Sequence, residues 1–239
     1  MRNFFVFNGI NSIDLDIYIQ SKSVYSAPKY DVTLTSIAGR NGDLPNPNGR
    51  FPNGTVSYTC FVPAKSIGEL AEKMTAVKNW LYSGVGRYHE LTDSYDTRFL
   101  RYALFNSKLD IAEEAQKIGT FTVTFSVKPF RYLKEGLVPQ TYTQNFTLVN
   151  PYAFAAKPYL KIYGHSGTLT INEHLWQIVG IDGYIECDSE LMNWYKGTES
   201  KNNKAHGDGF PELAGGETAH ISFSGGITAI EIIPRWVSL

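Results

Sequence analysis

The chain has 239 residues, enough for two ordinary domains or one large β-domain. With 43% hydrophobic and 19% charged residues it is globular, and a formal net charge of −1 without any basic run argues against a dedicated nucleic-acid binder. Aromatic residues reach 14%, a bias toward half-buried pleated surfaces and therefore toward β-structure.

Phe4–Phe7 and Ile13–Ile19 read as a first pair of strands around Asn8-Gly9, which also cuts the apolar run too short for a signal-peptide core. In the second of them Ile13, Leu15, Ile17 and Ile19 alternate with Asp14, Asp16 and Tyr18. Val32–Ile37 is another short strand. From Gly39 to Gly54 the chain is built almost wholly from turn residues, with Pro45, Pro47 and Pro52 among them, so it should hold neither helix nor central strand. A connection this long without structure of its own is unusual inside a compact domain, and we read it as an arm that reaches off the domain.

Thr55–Val62 resumes as a strand with Val56, Tyr58, Cys60 and Val62 on one face. A helix follows: Ser66 and Glu69 form a capping box, and Ile67, Leu70, Met74, Val77 and Leu81 recur at spacings of three and four. Trp80 widens that stripe, and Gly84 is placed to end the helix in a left-handed turn. Arg98–Phe105 and Thr120–Lys128 are strands. In the latter Phe121, Val123, Phe125 and Val127 point one way, Thr120, Thr122, Thr124 and Ser126 the other, and Pro129 stops it. Lys134–Gln140, with Gly136 and Pro139, reads as a linker. The expected organisation is a first domain over 1–134, a linker over 135–140 and a second domain over 141–239.

The second domain shows short strands and no helix: Phe146–Val149, Tyr159–Tyr163, Thr168–Ile171, Leu175–Ile181, Tyr184–Cys187, Ala219–Phe223 and Ile227–Ile233. Asp182-Gly183 is a type I′ hairpin signal and Gly225-Gly226 a second turn, which together favour a sandwich or jelly roll. Glu199–Gly216 reads as a mobile surface loop. Cys60 and Cys187 each fall at an inward-looking strand position and are read as two buried free thiols. No stretch approaches the ~20 apolar residues of a membrane helix, so the sequence predicts a soluble chain made in a cytoplasm, with no membrane segment.

Active-site signatures are weak. Gly164-His165-Ser166-Gly167-Thr168 falls one residue short of a nucleophile elbow and leads into a strand rather than a helix. The histidines are scattered without metal-ligand spacing, His206-Gly207-Asp208 reads as solvated loop, and no glycine-rich loop opens a helix to cradle phosphate. The expectation is no catalytic, cofactor-binding or metal residue. Trp176, Trp194 and Tyr195 could stack on sugars, although the plainer reading places such rings in a core.

Several signatures form an ordered set. They are Phe7-Asn8-Gly9-Ile10-Asn11-Ser12, Gly39-Arg40-Asn41-Gly42-Asp43-Leu44, a helix ending in Trp80-Leu81, Leu91-x-Asp93-x-x-Asp96, and Lys128-Pro129-Phe130-x-Tyr132. Asn150-Pro151, Gly164, Ile185-x-Cys187-Asp188, Gly209-Phe210-Pro211, Gly215-Gly216 and Pro234-Arg235-Trp236 follow. In this order they resemble, over nearly the whole chain, the distal tail proteins of siphophages that infect Gram-positive bacteria. The chain departs from the family pattern at Asp16, often Gly, and at Glu217-Thr218, where an Asn often follows the late glycine pair.

The resemblance implies a mainly β fold: an N-terminal β-sandwich or barrel-like ring domain with one α-helix and an extended arm, then a C-terminal galectin-like β-sandwich. It implies a non-enzymatic structural component of the virion tail tip, assembled in the host bacterial cytoplasm, with no cofactor. The partners implied are further copies in a homo-hexameric ring, single or stacked, the tail tube protein, the tail-associated hub or lysin protein, and receptor-binding or other baseplate proteins. Genome DNA would pass through without specific binding, so residues facing the channel should be acidic or neutral, because lysines there would hold phosphates. Arg40, Asn41, Asp43, Leu44, Arg50 and Phe51 are then the candidate subunit contacts of the arm. The alternative is a carbohydrate-binding module for host cell-wall polysaccharide, with Trp194 and Tyr195 as its glycan contacts.

Overall fold

The computed structural model describes residues 2–114 and 117–239. The chain divides into two compact units, Met1–Arg131 with Leu239, and Tyr132–Ser238.

In the first unit β1 (Phe5–Phe7), β2 (Ile10–Asn11), β3 (Tyr18–Ser23), β4 (Val32–Thr35), β5 (Leu44–Pro47) and β6 (Gly54–Pro63) precede α1 (Ile67–Leu81). After it come β7 (His89–Asp93), β8 (Phe99–Leu104), β9 (Ile111–Glu114) and β10 (Ile118–Leu133). The main sheet runs in the order β2-β1-β7-β8-β10-β6-β3. The period-2 pattern is realised in β6 and β10, which pair antiparallel from Ile118 opposite Pro63 to Val127 opposite Gly54. One face of the pair, including Tyr58, Cys60, Val123 and Phe125, is fully buried.

Helix α1 covers this face with Leu70, Met74, Val77, Trp80 and Leu81, and Phe5 stacks between Tyr58 at 4.5 Å and Trp80 at 5.4 Å. The Trp80 indole N–H donates to the Phe7 carbonyl at 3.0 Å, so its one polar atom is satisfied inside the core. Ser66 caps the helix by accepting from Glu69 N, while the Glu69 carboxylate accepts from Lys65 N rather than from Ser66. Ile67 lies outside the buried stripe, at 57% exposure.

Two expectations in this unit are corrected. Ser12–Leu15 is a 3-10 turn, not the first half of a strand: Asn11 accepts from Ile13 N, and Asp16 closes the turn in the left-handed region at φ 55°. That conformation explains why a glycine suits the Asp16 position. Pro129 does not stop β10, which continues to Leu133. It stands beyond the last β6 partner of β10, Gly54 opposite Val127, where no N–H is needed for that ladder.

The second unit contains β11 (Gln140–Tyr142), β12 (Phe146–Val149), β13 (Tyr159–Ile171), β14 (His174–Ile178), β15 (Gly183–Asp188), β16 (Asn193–Lys196), β17 (Glu199–Ser200), β18 (Ala205–Gly207) and β19 (Thr218–Ile233). Strands β13 and β19 are single long strands rather than the two short ones expected from each. They pair antiparallel along their length and bend together. On one side of the bend β13 pairs with β15, on the other with β14, so each long strand serves two sheets folded over one core of Leu160, Ile162, Leu169, Ile171, Ile221, Ile230 and Ile232.

Glycines make the bend. A Cβ on Gly164, which has φ +125°, would lie 2.1 Å from the Gly226 carbonyl oxygen, and one on Gly167 would lie 2.3 Å from that of Ser224. Gly225-Gly226 is therefore a bulge inside β19 rather than a hairpin turn. Asp182-Gly183 likewise joins β14 to β15, which pair with β13 and not with each other. The segment 199–216 is not a structureless loop: β18 pairs with β14, and a Cβ on Gly207 would meet Trp176 at 2.5 Å. Residues 135–140, expected as a linker, are folded into this unit. Gly136 is buried against Trp236, and Gln140–Tyr142 pairs with β19.

Both cysteines are free, each enclosed in the core of its own unit, and burial pushes each thiol up to about 12. Because the thiolate is the reactive species, neither should react with a maleimide at pH 8 in the native protein, while both should react at once in denaturant. Rapid native labelling followed by mass spectrometry would contradict this.

Candidate functional site

The segment expected as an arm is a β-ribbon separate from both large sheets. Strands β4 and β5 pair antiparallel, Val32 opposite Pro47, Thr33 opposite Asn46, Leu34 opposite Pro45 and Thr35 opposite Leu44. The ribbon therefore begins at Val32, before the turn-rich stretch, and Pro45 and Pro47 lie within a strand. Asn48 N donates to the Asp31 carbonyl at 3.0 Å. By alternation the N–H groups of Asn46 and Leu44 also face β4, while the two prolines occupy positions whose nitrogens face outward and need no partner.

The two faces of the ribbon differ in chemistry. Thr33, Thr35, Leu44, Asn46 and Asn48 share one face, polar apart from Leu44, where Asn46 donates to Thr35 Oγ1 at 3.0 Å and Asn48 to Thr33 Oγ1 at 3.1 Å. Val32, Leu34, Pro45 and Pro47 share the other, with Leu34 at 61% exposure. An apolar ribbon face this open is uncommon on a surface that simply meets solvent.

The base of the ribbon is clamped. Arg50 pairs with Asp31 at 2.7 Å, and the Asn48 amide with the Arg50 guanidinium holds the Asp31 carboxyl below its ordinary range. Phe51 packs edge-on against Tyr30 at 4.9 Å and Phe130 at 5.6 Å. The six candidate contacts thus separate into two groups. Arg40, Asn41, Asp43 and Leu44 lie at the exposed tip, with Gly39 and Gly42 at φ +77° and +79° to turn the chain. Arg50 and Phe51 hold the base on the first unit. The apolar set Val32, Leu34, Pro45 and Pro47 was missed, although the period-2 spacing of the two prolines opposite Val32 and Leu34 carries the signal.

A second surface of the first unit is the sheet face opposite its core. Thr55, Ser57 and Thr59 on β6 stand opposite Ser126, Thr124 and Thr122 on β10, and β3 adds Ser21 and Ser23 opposite Thr59 and Ser57.

In the second unit Trp176 and Trp194 are each 2% exposed, and the Trp176 indole donates to the Gly209 carbonyl. Trp194 is a core residue and offers no stacking face, because its strand position points inward with Cys187, its cross-strand neighbour. Tyr195 is half-buried on the outer face of the β13-β15-β16 sheet. There Tyr159 donates to Glu186 at 2.6 Å, and Lys161 sits 4.4 Å from the Tyr184 ring centre. Ser166 accepts from Gly180 N at 2.8 Å in the bulge of β13, a backbone-bracing role. His206 lies on β18, and Asp208 lines an acidic cleft with Glu173, Glu212 and Glu217. Among the described residues no group of His, Cys, Asp or Glu is placed to hold a metal ion, and no helix is long and apolar enough to cross a membrane.

No protein-family model and no curated protein sequence matches the chain. Solved structures do match in fold. The SPP1 Dit (gp 19.1) protein, described as a paradigm of the hub adsorption apparatus in Gram-positive infecting phages, superposes with a TM-score of 0.79 at 12% identity, covering 100% of both chains. The phage P2 baseplate in its activated conformation follows with Ca at a TM-score of 0.46 and with Sr at 0.44, each at 10% identity and 97% coverage of both chains. These two weaker matches carry no argument. The chain is a two-unit, mainly β protein with the fold of SPP1 Dit, as the ordered motifs led us to expect.

The motif residues are fold determinants. Asp93, 6% exposed, accepts from the Tyr58 hydroxyl and from the backbone of Tyr95 and Asp96. Asn150, 2% exposed, donates to the carbonyls of Phe154 and Leu213 and accepts from Tyr152 N. Asp188 and Arg235, 47 positions apart, form a bidentate pair with both bonds at 2.8 Å. Burial pushes the Asp188 carboxyl up, but the Arg235 guanidinium and the N–H groups of Leu191 and Glu190 outweigh it and hold the carboxyl low.

A carboxyl that titrates lower folded than unfolded stabilises fully above the ordinary range, about 3.9, and loses that contribution as pH falls through its lower folded value. Arg235→Ala should cost about 3 kcal/mol at pH 7 by leaving Asp188 unpaired, and less at pH 3. Denaturant melts of the two proteins at both pH values measure this, and equal losses at both would contradict it.

Proposed function

We propose that this chain is a distal tail protein, a structural component of the phage tail tip. In this reading six copies close into a ring that joins the tail tube to the tail-associated hub protein and supports host-adhesion proteins in the virion. The observation that carries the reading is the ribbon: an apolar strand face held off its own subunit by a clamped base. Head-to-tail contacts, in which one patch meets a different patch on the next copy, close rings of this kind. The shared fold with SPP1 Dit over the full chain supports it, and so does the structural rather than chemical role of the motif residues.

A second reading, direct recognition of cell-wall polysaccharide by the second unit, now draws on Tyr159, Tyr184 and Tyr195 beside Lys161 and Glu186. Calorimetric titration with purified wall polysaccharide tests it; Tyr195→Ala should then weaken binding, and no heat from the parent protein would end this reading.

Leu34→Asp places a charge on the exposed apolar face and should leave the subunit's melting transition within about 0.5 kcal/mol of the parent. Native mass spectrometry should show sixfold assemblies for the parent and monomers for the variant. Excision of the tip, residues 38–42, should weaken assembly in the same direction. A parent that stays monomeric at high concentration, or a Leu34→Asp protein that assembles unchanged, would overturn the role given to the ribbon.

A further inference from the structure

The outward face of β3, β6 and β10 is a field of hydroxyl groups. Ser57 and Thr124 hydroxyls bond across the ladder at 3.0 Å, and those of Thr59 and Thr122 meet at 3.4 Å. Formal charge beside it is sparse and mostly paired. Lys108 and Asp110, which line a cleft with Thr59, Thr122 and Thr124, neutralise each other at 2.6 Å, Glu114 accepts from the Thr120 hydroxyl at 3.3 Å, and Lys128 lies at the other end, 5.1 Å from the Tyr102 ring centre.

A sheet face that simply meets solvent ordinarily mixes charges of both signs, and the second unit of this same chain does so, with Lys161 opposite Glu186 and Glu231. The hydroxyl face differs in a specific way. Its central groups are neutral and bonded to one another, and the cation nearest them, Lys108, is already paired with Asp110, so the centre of the face gives a phosphate backbone no unpaired cation to bind. Lysines or arginines in its place would release counterions from DNA and hold it.

We propose that, in the assembled ring, the hydroxyl face centred on Ser57, Thr59, Thr122 and Thr124 is the wall turned toward the axis, along which duplex DNA slides without binding. The inference rests on the ring reading above and adds which surface of the subunit lines the bore.

Thr122 is exposed and its side chain leaves the core untouched, so Thr122→Lys should fold and form rings like the parent. The same change at Thr59, on the neighbouring strand, provides a second variant, and Gln177→Lys, exposed in the second unit, is the control. Each full-length protein is assembled, confirmed as rings by native mass spectrometry, and mixed with linear or covalently closed circular duplex DNA.

Only a free end can thread a preformed ring. The lysine variants should therefore retain linear DNA about tenfold or more tightly than the parent at low salt, lose it steeply as salt rises, and retain circular DNA no better than the control. Equal retention of linear and circular DNA by the variants, or retention no greater than that of Gln177→Lys, overturns the inference while leaving the ring intact. A parent that forms no rings removes the ring reading and this inference with it.

Discussion

A two-stranded ribbon buries too little surface to stand alone in water, so a ribbon with an open apolar face depends on whatever fastens it to its domain. Here the holding is done at the base. The Asp31–Arg50 pair, the Asn48 contacts to β4 and the aromatic packing of Phe51 fix where the ribbon leaves the domain. The ribbon itself leaves that face open: its two strands satisfy each other's inner backbone groups, and the Thr and Asn side chains of the opposite face bond to one another. The assembly role proposed above rests on that imbalance, and the first unit supplies the block that carries the ribbon.

The rigidity has plain causes. Two ten-residue runs of alternating side chains, from Gly54 to Pro63 and from Ile118 to Val127, supply one apolar face, and a capped amphipathic helix closes over it. In the second unit the same job is done by two long bent strands whose glycines let the backbones approach. Polar residues that look functional by type, such as Asp93, Asn150 and Asp188, are used instead to tie turns to neighbouring strands.

Much of this was legible in the sequence wherever periodicity and end signals agreed. The alternation in β6 and β10 and the stripe of α1 gave their elements within a few residues, and the cysteines fell in cores as their inward positions required. Legibility failed where a local signal has two physical uses. The alternation from Ile13 to Ile19 mimics a strand, but the Asn11 cap and the left-handed Asp16 turn it into a 3-10 segment. Gly225-Gly226 and Asp182-Gly183 carry hairpin chemistry, yet one serves a bulge and the other a corner between strands that never pair, a distinction set by long-range partners. The ribbon was half legible: its turn residues marked an excursion from the domain and its prolines argued against a central strand, but nothing local showed that the same prolines suit an edge strand whose outward nitrogens need no partner. Trp194 shows the remaining ambiguity, since an aromatic residue on a strand fits a sugar platform or a core equally well until the neighbouring strand fixes its direction.

The two prolines of the ribbon also bear on how separate copies of the chain can associate. An open strand edge is a template on which further chains can stack by backbone pairing, and such growth has no natural stopping point. Because Pro45 and Pro47 lack N–H groups on the outer edge, that edge cannot offer a regular ladder, and a newcomer must be recognised by side-chain shape rather than by main-chain complementarity. In the assembly proposed above, that closes the β5 edge to open-ended strand addition while the apolar face stays available to a matching surface.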